Sequence, residues 1–218
     1  LKKFEVDINK KLFYYINSNS TILTALDQLD IQHPFFLEDD NKVAFNMWFS
    51  TDFILEDGSS IVESFLRDQG SKLTSIEKKY LAERRQSHIS IFEILKYQDE
   101  YIFLNDVLLN KEYKLWEPEL VNTMDEGELL LARVAKIVDN YNFIGDISHL
   151  PSLARDDFME SLILNFNNIR RLNPQLTMAE YLKSYALNVY NIYNDTILNM
   201  MDIKEEMDSL VYDELSEF

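Results

Sequence analysis

The spacing of hydrophobic and polar positions changes twice along the chain, from a helical period to short β-type runs and back to a helical period. Residues 21–29 place their apolar side chains on one face, which predicts an amphipathic helix near the N-terminus. The preceding segment, 4–16, alternates only loosely and fits either a strand or a short helix. After the helix, Pro34 and the turn-forming residues 38–41 predict a loop.

Two further helices are predicted before the middle of the chain. Ser60 and Glu63 stand at capping-box spacing, so a helix is expected to begin there and to end near Gly70. A second helix is expected over 74–87, forming a helical hairpin with the first. The aromatic segment 43–55 is predicted to be extended, because aromatic and β-branched side chains suit a pleated surface, with a helix as the alternative.

The middle of the chain has short runs that are typical of β-strands. Residues 89–95, 101–104 and 112–116 are rich in β-branched and aromatic side chains and are separated by polar turns, which predicts a meander or a small barrel. Residues 128–138 and 141–147 flank a turn and predict a hairpin. A helix is the alternative for 128–138, because Leu and Ala favour helices.

The helical period returns after Pro151, and the first helix there is expected to end at the 173–174 break. Thr177 and Glu180 then stand at capping-box spacing and predict a final helix. The acidic tail, 202–218, is either a continuation of that helix or a frayed end. The apolar faces of these helices consist of Phe158, Leu162, Phe166, Tyr181, Leu182, Tyr185, Val189, Ile192 and Tyr193.

These patterns predict an α+β protein with N-terminal helices, a central small antiparallel β module and a C-terminal helical segment. We divide the chain into a mainly helical region, 1–88, the β module, 89–147, and a helical region, 148–218. Hydrophobic residues make up 46% of the 218 residues, with only 4 Gly and 4 Pro, so the chain can bury a core and is not a disordered protein.

The absence of Cys excludes disulfides, thiolate zinc sites and cysteine nucleophiles, and it fits a reducing compartment. The chain also has no secretion signal and no apolar run long enough to span a bilayer, so we expect a cytoplasmic protein. Its net charge of -17 opposes direct binding to nucleic acids or anionic membranes, because that affinity comes from Lys and Arg. An acidic surface could instead imitate a nucleic acid and dock on a basic partner.

Five stretches of the chain, taken in order, carry the pattern of a known family. They are WFSTDFILEDGSSIVESFL (48–66), LAERRQSHISIFEIL (81–95), LNDVLLNKEYKLWE (104–117), GELLLARVAKIVDNYNFIGD (127–146) and TMAEYLKSYALNVYNIY (177–193). In this order they resemble uncharacterised bacterial proteins that often end in a SEC-C zinc-binding motif, similar to the tail of the SecA translocase. The resemblance implies a cytoplasmic bacterial protein of unassigned activity. Because this chain has no Cys, the motif is absent from it and no zinc ligand is assigned.

Histidines and carboxylates supply the candidate chemistry. His33, His88 and His149 each lie at the boundary of an element and none has a metal-binding spacing, so we expect them to be structural or exposed. Asp156 and Glu160 lie on one face at the start of a helix, where carboxylates interact favourably with the helix dipole. Together with His149 they are the candidate metal ligands of a metal-dependent hydrolase, which is one alternative function.

Tyrosines of the last predicted helix give a candidate interface. Tyr181, Tyr185 and Tyr193 form one stripe, and such a stripe is usually core, although Tyr is also enriched at contact surfaces. The chain contains no phosphate-binding loop and no nucleophile elbow, so we expect no cofactor. The sequence thus favours a non-enzymatic protein-interaction or adaptor protein, with a metal-dependent hydrolase and an acidic nucleic-acid mimic as alternatives.

Overall fold

Five strands in the middle of the chain close into a small barrel. The computed structural model describes the backbone of residues 2–32 and 42–216, with the side chains of 3–29 and 42–203. The strands are β1 (Ile89–Gln98), β2 (Tyr101–Asp106), β3 (Lys111–Trp116), β4 (Leu129–Ile137) and β5 (Asn140–Leu150). Their order around the barrel is β1-β2-β3-β5-β4, and β4 pairs back to β1. Of the two predicted alternatives, the small barrel is therefore the right one.

The barrel contains antiparallel and parallel strand pairs. Four of its strand pairs are antiparallel, as predicted, whereas β3 and β5 are parallel where Leu115 pairs with Tyr141. A five-stranded Greek-key barrel with this strand order has the topology of the OB fold. The connection between β3 and β4, residues 117–128, consists of turns and bends. The module ends at Leu150, so the predicted boundary at 147 falls inside β5.

The hairpin predicted over 128–138 and 141–147 is confirmed as β4 and β5. Its turn lies one residue earlier than expected, at Val138 and Asp139. Val138 has a φ of 60°, a left-handed conformation that is strained for a β-branched residue. Pairing with β5 through this tight turn, and burial on both faces between the barrel interior and the helices, explain why the Leu- and Ala-rich segment is a strand and not a helix.

Helices precede the barrel in the chain and pack on its outside. They are α1 (Lys2–Asn17), α2 (Ser20–Gln32), α3 (Lys42–Thr51), α4 (Ile61–Gln69) and α5 (Ser75–Gln86). Capping boxes are present at Ser60 with Glu63, as predicted, and at Thr74 with Glu77. The segment 4–16, whose pattern fits either a strand or a short helix, is part of α1. The loop predicted around Pro34 and 38–41 lies outside the described residues.

The prediction of an extended 43–55 segment is wrong, because most of this segment is α3. Seven of the ten α3 residues are buried, and the helix packs against α4, α8 (Ala186–Ser216) and β5. A helix that is surrounded by protein can carry aromatic side chains on all sides, so composition does not distinguish it from a buried strand. The contact with β5 favours Gly at position 145, because its φ is 74° and an added Cβ would lie 2.6 Å from Met47 Cε.

The C-terminal helices are α6 (Arg155–Leu172), α7 (Met178–Ser184) and α8, whose backbone continues to Ser216. The capping box of Thr177 with Glu180 is present as predicted. The single helix predicted after it is interrupted at Tyr185, which leaves helical geometry with a φ of -118° and a ψ of 29°. Among the described residues, no helix is both long and apolar enough to cross a membrane.

Two hydrophobic clusters organise the molecule. One fills the barrel with inward side chains such as Phe92, Ile102 and Leu115. The other joins the outer side of the barrel to the helices and includes residues of all three predicted regions, for example Phe65, Leu131 and Phe158. The helices of regions 1–88 and 148–218 therefore share a core on one side of the barrel.

A buried cluster of charged side chains connects three elements on the side of the barrel that the helices cover, which we call the covered side. Asp52, directly after α3, accepts hydrogen bonds from Arg133 of β4 and from Lys183 of α7, the latter with an Nζ–Oδ1 distance of 2.7 Å. The Arg133 side chain is 1% exposed and also donates to the carbonyl of Ser87 at 2.9 Å. Burial lowers the pKa of Lys183, whereas the Asp52 carboxylate opposes that shift. One carboxylate thus holds two cations from two other elements.

Candidate functional site

The candidate metal ligands do not form a centre. His149 is 49% exposed at the end of β5, and its Nε2 lies 3.4 Å from Glu128 Oε1. Asp156 and Glu160 are exposed on α6. Within the part of the chain that the structure describes, no group of three or more His, Cys, Asp or Glu could hold a metal ion. The structure therefore gives no geometric support to a hydrolase site at these residues.

The other two histidines were expected to be structural or exposed. His33 lies outside the described residues. His88 follows α5, and its Nε2 is 3.6 Å from Oδ2 of the buried Asp106. The other oxygen of Asp106 accepts hydrogen bonds from Ser90 Oγ at 2.7 Å and from two backbone N–H groups. His88 thus lies against a carboxylate that is fixed by the β2–β3 turn.

Tyr181, one of the three residues of the predicted tyrosine interface, lies inside the molecule. This side chain is completely buried, and its hydroxyl donates to Asn165 Oδ1 at 2.9 Å. Burial raises the pKa of Tyr181 to about 12, as expected for a core phenol. Tyr185 stacks on it, and Tyr193 donates a hydrogen bond to the His149 carbonyl. Both are half-buried and pack against the main core, so the stripe holds helices together.

Among the described residues, a different surface lacks such a cover. The helices pack on β4, β5 and the first half of β1, while the outward side chains of β2, β3 and the second half of β1 are half-buried or exposed. Two rows of side chains cross these strands at paired positions. We call this surface the open face, and it consists of Lys96, Gln98, Tyr101, Phe103, Lys114 and Trp116.

Lysines and aromatic rings alternate on the open face. The register pairs Phe103 with Lys96 on one side and with Lys114 on the other. Lys96 Nζ lies 4.8 Å from the centroid of the Phe103 ring, and Lys114 Nζ lies 3.9 Å from the centroid of the Tyr101 ring. Both distances are within cation–π range. The lysine ammonium groups therefore lie over the aromatic rings of the face.

Carboxylates border the open face at both ends. At one end, the next row of paired residues contains two carboxylates: Asn105 of β2 pairs with Glu93 of β1 and with Glu112 of β3. On the other side, Glu100 Oε2 accepts a hydrogen bond from Trp116 Nε1 at 3.1 Å. The surface therefore has an aromatic and cationic centre between acidic borders, in a chain whose net charge is -17.

A β-bulge sets the composition of this face. Glu93 pairs with Asn105, Ile94 with Leu104 and Lys96 with Phe103, so β1 has one residue more than β2 over this stretch. Leu95 is the extra residue. Because side chains alternate along a strand, Lys96 would point into the barrel without the bulge. The bulge thus places Lys96 outside, beside Phe103.

Sequence reasoning missed the open face, although part of its signal was visible. In β2 and β3, Tyr101, Phe103, Lys114 and Trp116 alternate with buried apolar positions, which marks one side of each strand as outward. The sequence does not say which strands the helices cover, and the bulge at Leu95 leaves no pattern of its own.

The chain was compared with known protein families, curated proteins and solved structures. The model of a family of unknown function, DUF7986, matches residues 1–163. The chain belongs to this family. The matched part contains α1 to α5, the whole barrel and every residue of the open face. No curated protein and no solved structure matches the chain. The resemblance to SEC-C proteins stays a prediction.

Proposed function

We propose that this chain is a non-enzymatic interaction protein that binds a basic protein partner on the open face of its barrel. The observation that carries the proposal is the pair of aromatic and lysine rows on the side of the barrel that the described parts of the helices leave uncovered. OB-type barrels use the corresponding β2–β3 face to bind oligonucleotides and oligosaccharides, so the same face is a binding surface in that architecture. The absence of Cys and the resemblance to bacterial proteins support a cytoplasmic location, which is part of the proposal.

The aromatic side chains of the face supply the contact area. Tyr101, Phe103 and Trp116 are half-buried, so each ring is fixed by its neighbours but keeps surface for a partner. Aromatic residues are enriched among the side chains that contribute most to protein interfaces. The lysines over these rings are exposed, and an arginine of a partner can take their place with little loss to the fold.

The charges on the open face and of the whole chain indicate which class of partner the face binds. Nucleic acids require a track of cations that displaces counterions, whereas the face offers Lys96 and Lys114 between Glu93, Glu112 and Glu100. The acidic borders and the charge of -17 attract a basic surface and accelerate its encounter with the face. A partner with Arg or Lys at its edges and apolar side chains at its centre fits this arrangement.

The test is an NMR titration of the isotope-labelled chain with three probes. These are a synthetic peptide that carries Arg, Leu and Tyr, the same peptide with each Arg replaced by Glu, and oligo(dT). We expect shifts confined to β1–β3 with the Arg peptide alone. These shifts should weaken as salt is added, because exposed charge pairs are screened.

Two variants give the titration its controls. Phe103→Ala should abolish the shifts, because it removes the ring at the centre of the face. Tyr14→Ala removes an aromatic ring that is 77% exposed on α1, away from the barrel strands, and should leave the titration unchanged. Shifts on the face with oligo(dT), equal shifts with the Glu peptide, or no response to the Arg peptide would each overturn the proposal.

A further inference from the structure

A cleft between α1 and α4 has the dimensions of a ligand site. It lies where α1 passes over α4 and the short 3₁₀ turn Gly70–Lys72 that follows, and its volume is about 510 Å³. Sites for small organic ligands typically have volumes of roughly 300–1,000 Å³. None of the residues that line the cleft belongs to the open face, so the inference is independent of the proposed function.

The floor of the cleft is apolar and rigid. Phe65 and Leu73 are buried, and the ring of Tyr15 packs against that of Phe65 with centroids 5.3 Å apart. The Tyr15 hydroxyl donates to Asp68 Oδ2 at 2.7 Å, which fixes the orientation of the ring. At the mouth, Tyr14 is exposed. An apolar or aromatic ligand body therefore finds a preformed surface here.

Lysines surround this floor. Lys10, Lys11 and Lys72 line the cleft. Lys11 is neutralised by Glu77, whose carboxylate oxygen lies 2.6 Å from the ammonium nitrogen. Lys72 is hydrogen-bonded to an uncharged group, the amide oxygen of Gln69, at 2.8 Å. In the described part of the chain, neither Lys10 nor Lys72 forms an ion pair, so no carboxylate occupies either ammonium group at the cleft.

The chain as a whole makes this local excess unusual. It has 38 Asp and Glu against 21 Lys and Arg, so carboxylates are available in excess to pair with every cation. An apolar cleft bordered by unpaired cations is complementary to a molecule with one anionic end and an apolar body.

We propose that this cleft binds a small amphipathic carboxylate, with Lys10 and Lys72 holding the carboxylate and the floor of Tyr15, Phe65 and Leu73 holding the apolar part. The ligand class is a carboxylic acid on a hydrocarbon or aromatic body. A neutral ligand of the same shape would use the floor alone, and a cationic one would be repelled by the lysines.

The test compares decanoate, decanol and decylamine by calorimetry and NMR titration. Decanoate should bind at the cleft about tenfold more tightly than decanol, which corresponds to two exposed charge interactions. Decylamine should bind more weakly than either. Chemical shifts should change for Tyr15, Phe65 and Leu73, which places the ligand.

Lysine variants separate the charge from the apolar floor. Lys10→Gln with Lys72→Gln should lower decanoate affinity about tenfold, to the level of decanol, and leave decanol binding unchanged. Lys78→Gln, on the exposed side of α5 and outside the cleft, is the matched control and should have no effect. All three positions are exposed, so the variants are expected to fold.

Three outcomes would overturn the inference. Equal affinity for decanoate and decanol would reduce the cleft to an apolar contact surface. No response at Tyr15 and Phe65 to any probe would remove the site altogether. A concentration-dependent dimer that covers the cleft in sedimentation experiments would make a second copy of this chain its occupant.

Discussion

Strands β4 and β2 belong to one barrel but lie in opposite surroundings. In β4 every residue except Lys136 is buried, because its inward side chains fill the barrel and its outward side chains lie under the helices. In β2 buried and half-buried residues alternate, since only its inward side is covered. The outward residues of β4 are therefore part of the protein core, whereas those of β2 remain partly accessible at the surface.

The same residue types have different roles on the two sides. On the covered side, Arg133 is enclosed and its charge requires the carboxylate of Asp52. On the open face, Lys96 and Lys114 lie over aromatic rings and keep contact with water. Substitutions of charged groups should therefore affect folding on the covered side but have little effect on folding on the open face, where the proposed function predicts an effect on binding.

The largest expected effect comes from Asp52→Ala on the covered side. This change leaves Arg133 and Lys183 without a counter-ion, and we expect the free energy of unfolding to fall by about 3–5 kcal/mol, measured by urea denaturation. The matched control is Glu112→Ala, which removes an exposed carboxylate at the border of the open face. It should change the free energy of unfolding by less than about 0.5 kcal/mol. A loss below about 1 kcal/mol for Asp52→Ala would mean that water solvates the cluster.

Apolar truncations sharpen the comparison between the two sides. Leu131→Ala, under the helices, should destabilise the fold by about 2–5 kcal/mol, because it leaves a cavity in the main core. Phe103→Ala, on the open face, removes a larger side chain but should cost no more than about 1 kcal/mol. Thermal and urea unfolding of both variants measures the difference. Equal losses would show that the open face is also part of the folding core.

The smallest effect is a dependence of stability on alkaline pH that originates on the covered side. Burial raises the pKa of Tyr190, beside Arg133, from 10.0 to about 12. An unfolded tyrosine ionises near pH 10 while the folded one keeps its proton, so stability that is complete below pH 10 is lost as the pH rises towards 12. The contribution is on the order of 2–3 kcal/mol.

Tyr190→Phe isolates this contribution. Relative to its own stability at pH 7, the variant should lose less free energy of unfolding between pH 10 and 12 than the parent chain does. Denaturant titrations at a series of alkaline pH values measure both slopes. Parallel slopes for the two proteins would assign the alkaline decline to other groups.

Local signals in the sequence were reliable where the interaction is local. The capping boxes predicted at Ser60 and Thr177 are present, because the side chain and the backbone N–H it satisfies are three residues apart. The strands β1, β2 and β3 follow from short runs rich in β-branched and aromatic side chains between polar turns, which are also local features. The prediction of 43–55 as extended was wrong because its burial comes from distant elements, which composition does not report.

The candidate sites depend on contacts between distant segments, which short-range sequence patterns do not predict. Asp52 and Lys183 are 131 positions apart, and neither stood out in the chain. Tyr181 was assigned to an interface because periodicity marks an aromatic stripe without saying what covers it. The stripe and the open face both contain aromatic side chains at regular spacing, but one is enclosed and the other is not.

The sequence by itself determined that this is an acidic, Cys-free α+β chain with capped helices around a central β module, because charge, composition and short-range periodicity are local properties. The tertiary structure decided that the module is a closed barrel, that α3 is a helix, and which strands the helices cover. Those features depend on pairing and packing between segments far apart in the chain. The open face exists because the helices, as far as the structure describes them, pack on one side of the barrel, and periodicity within a strand carries no information about that choice.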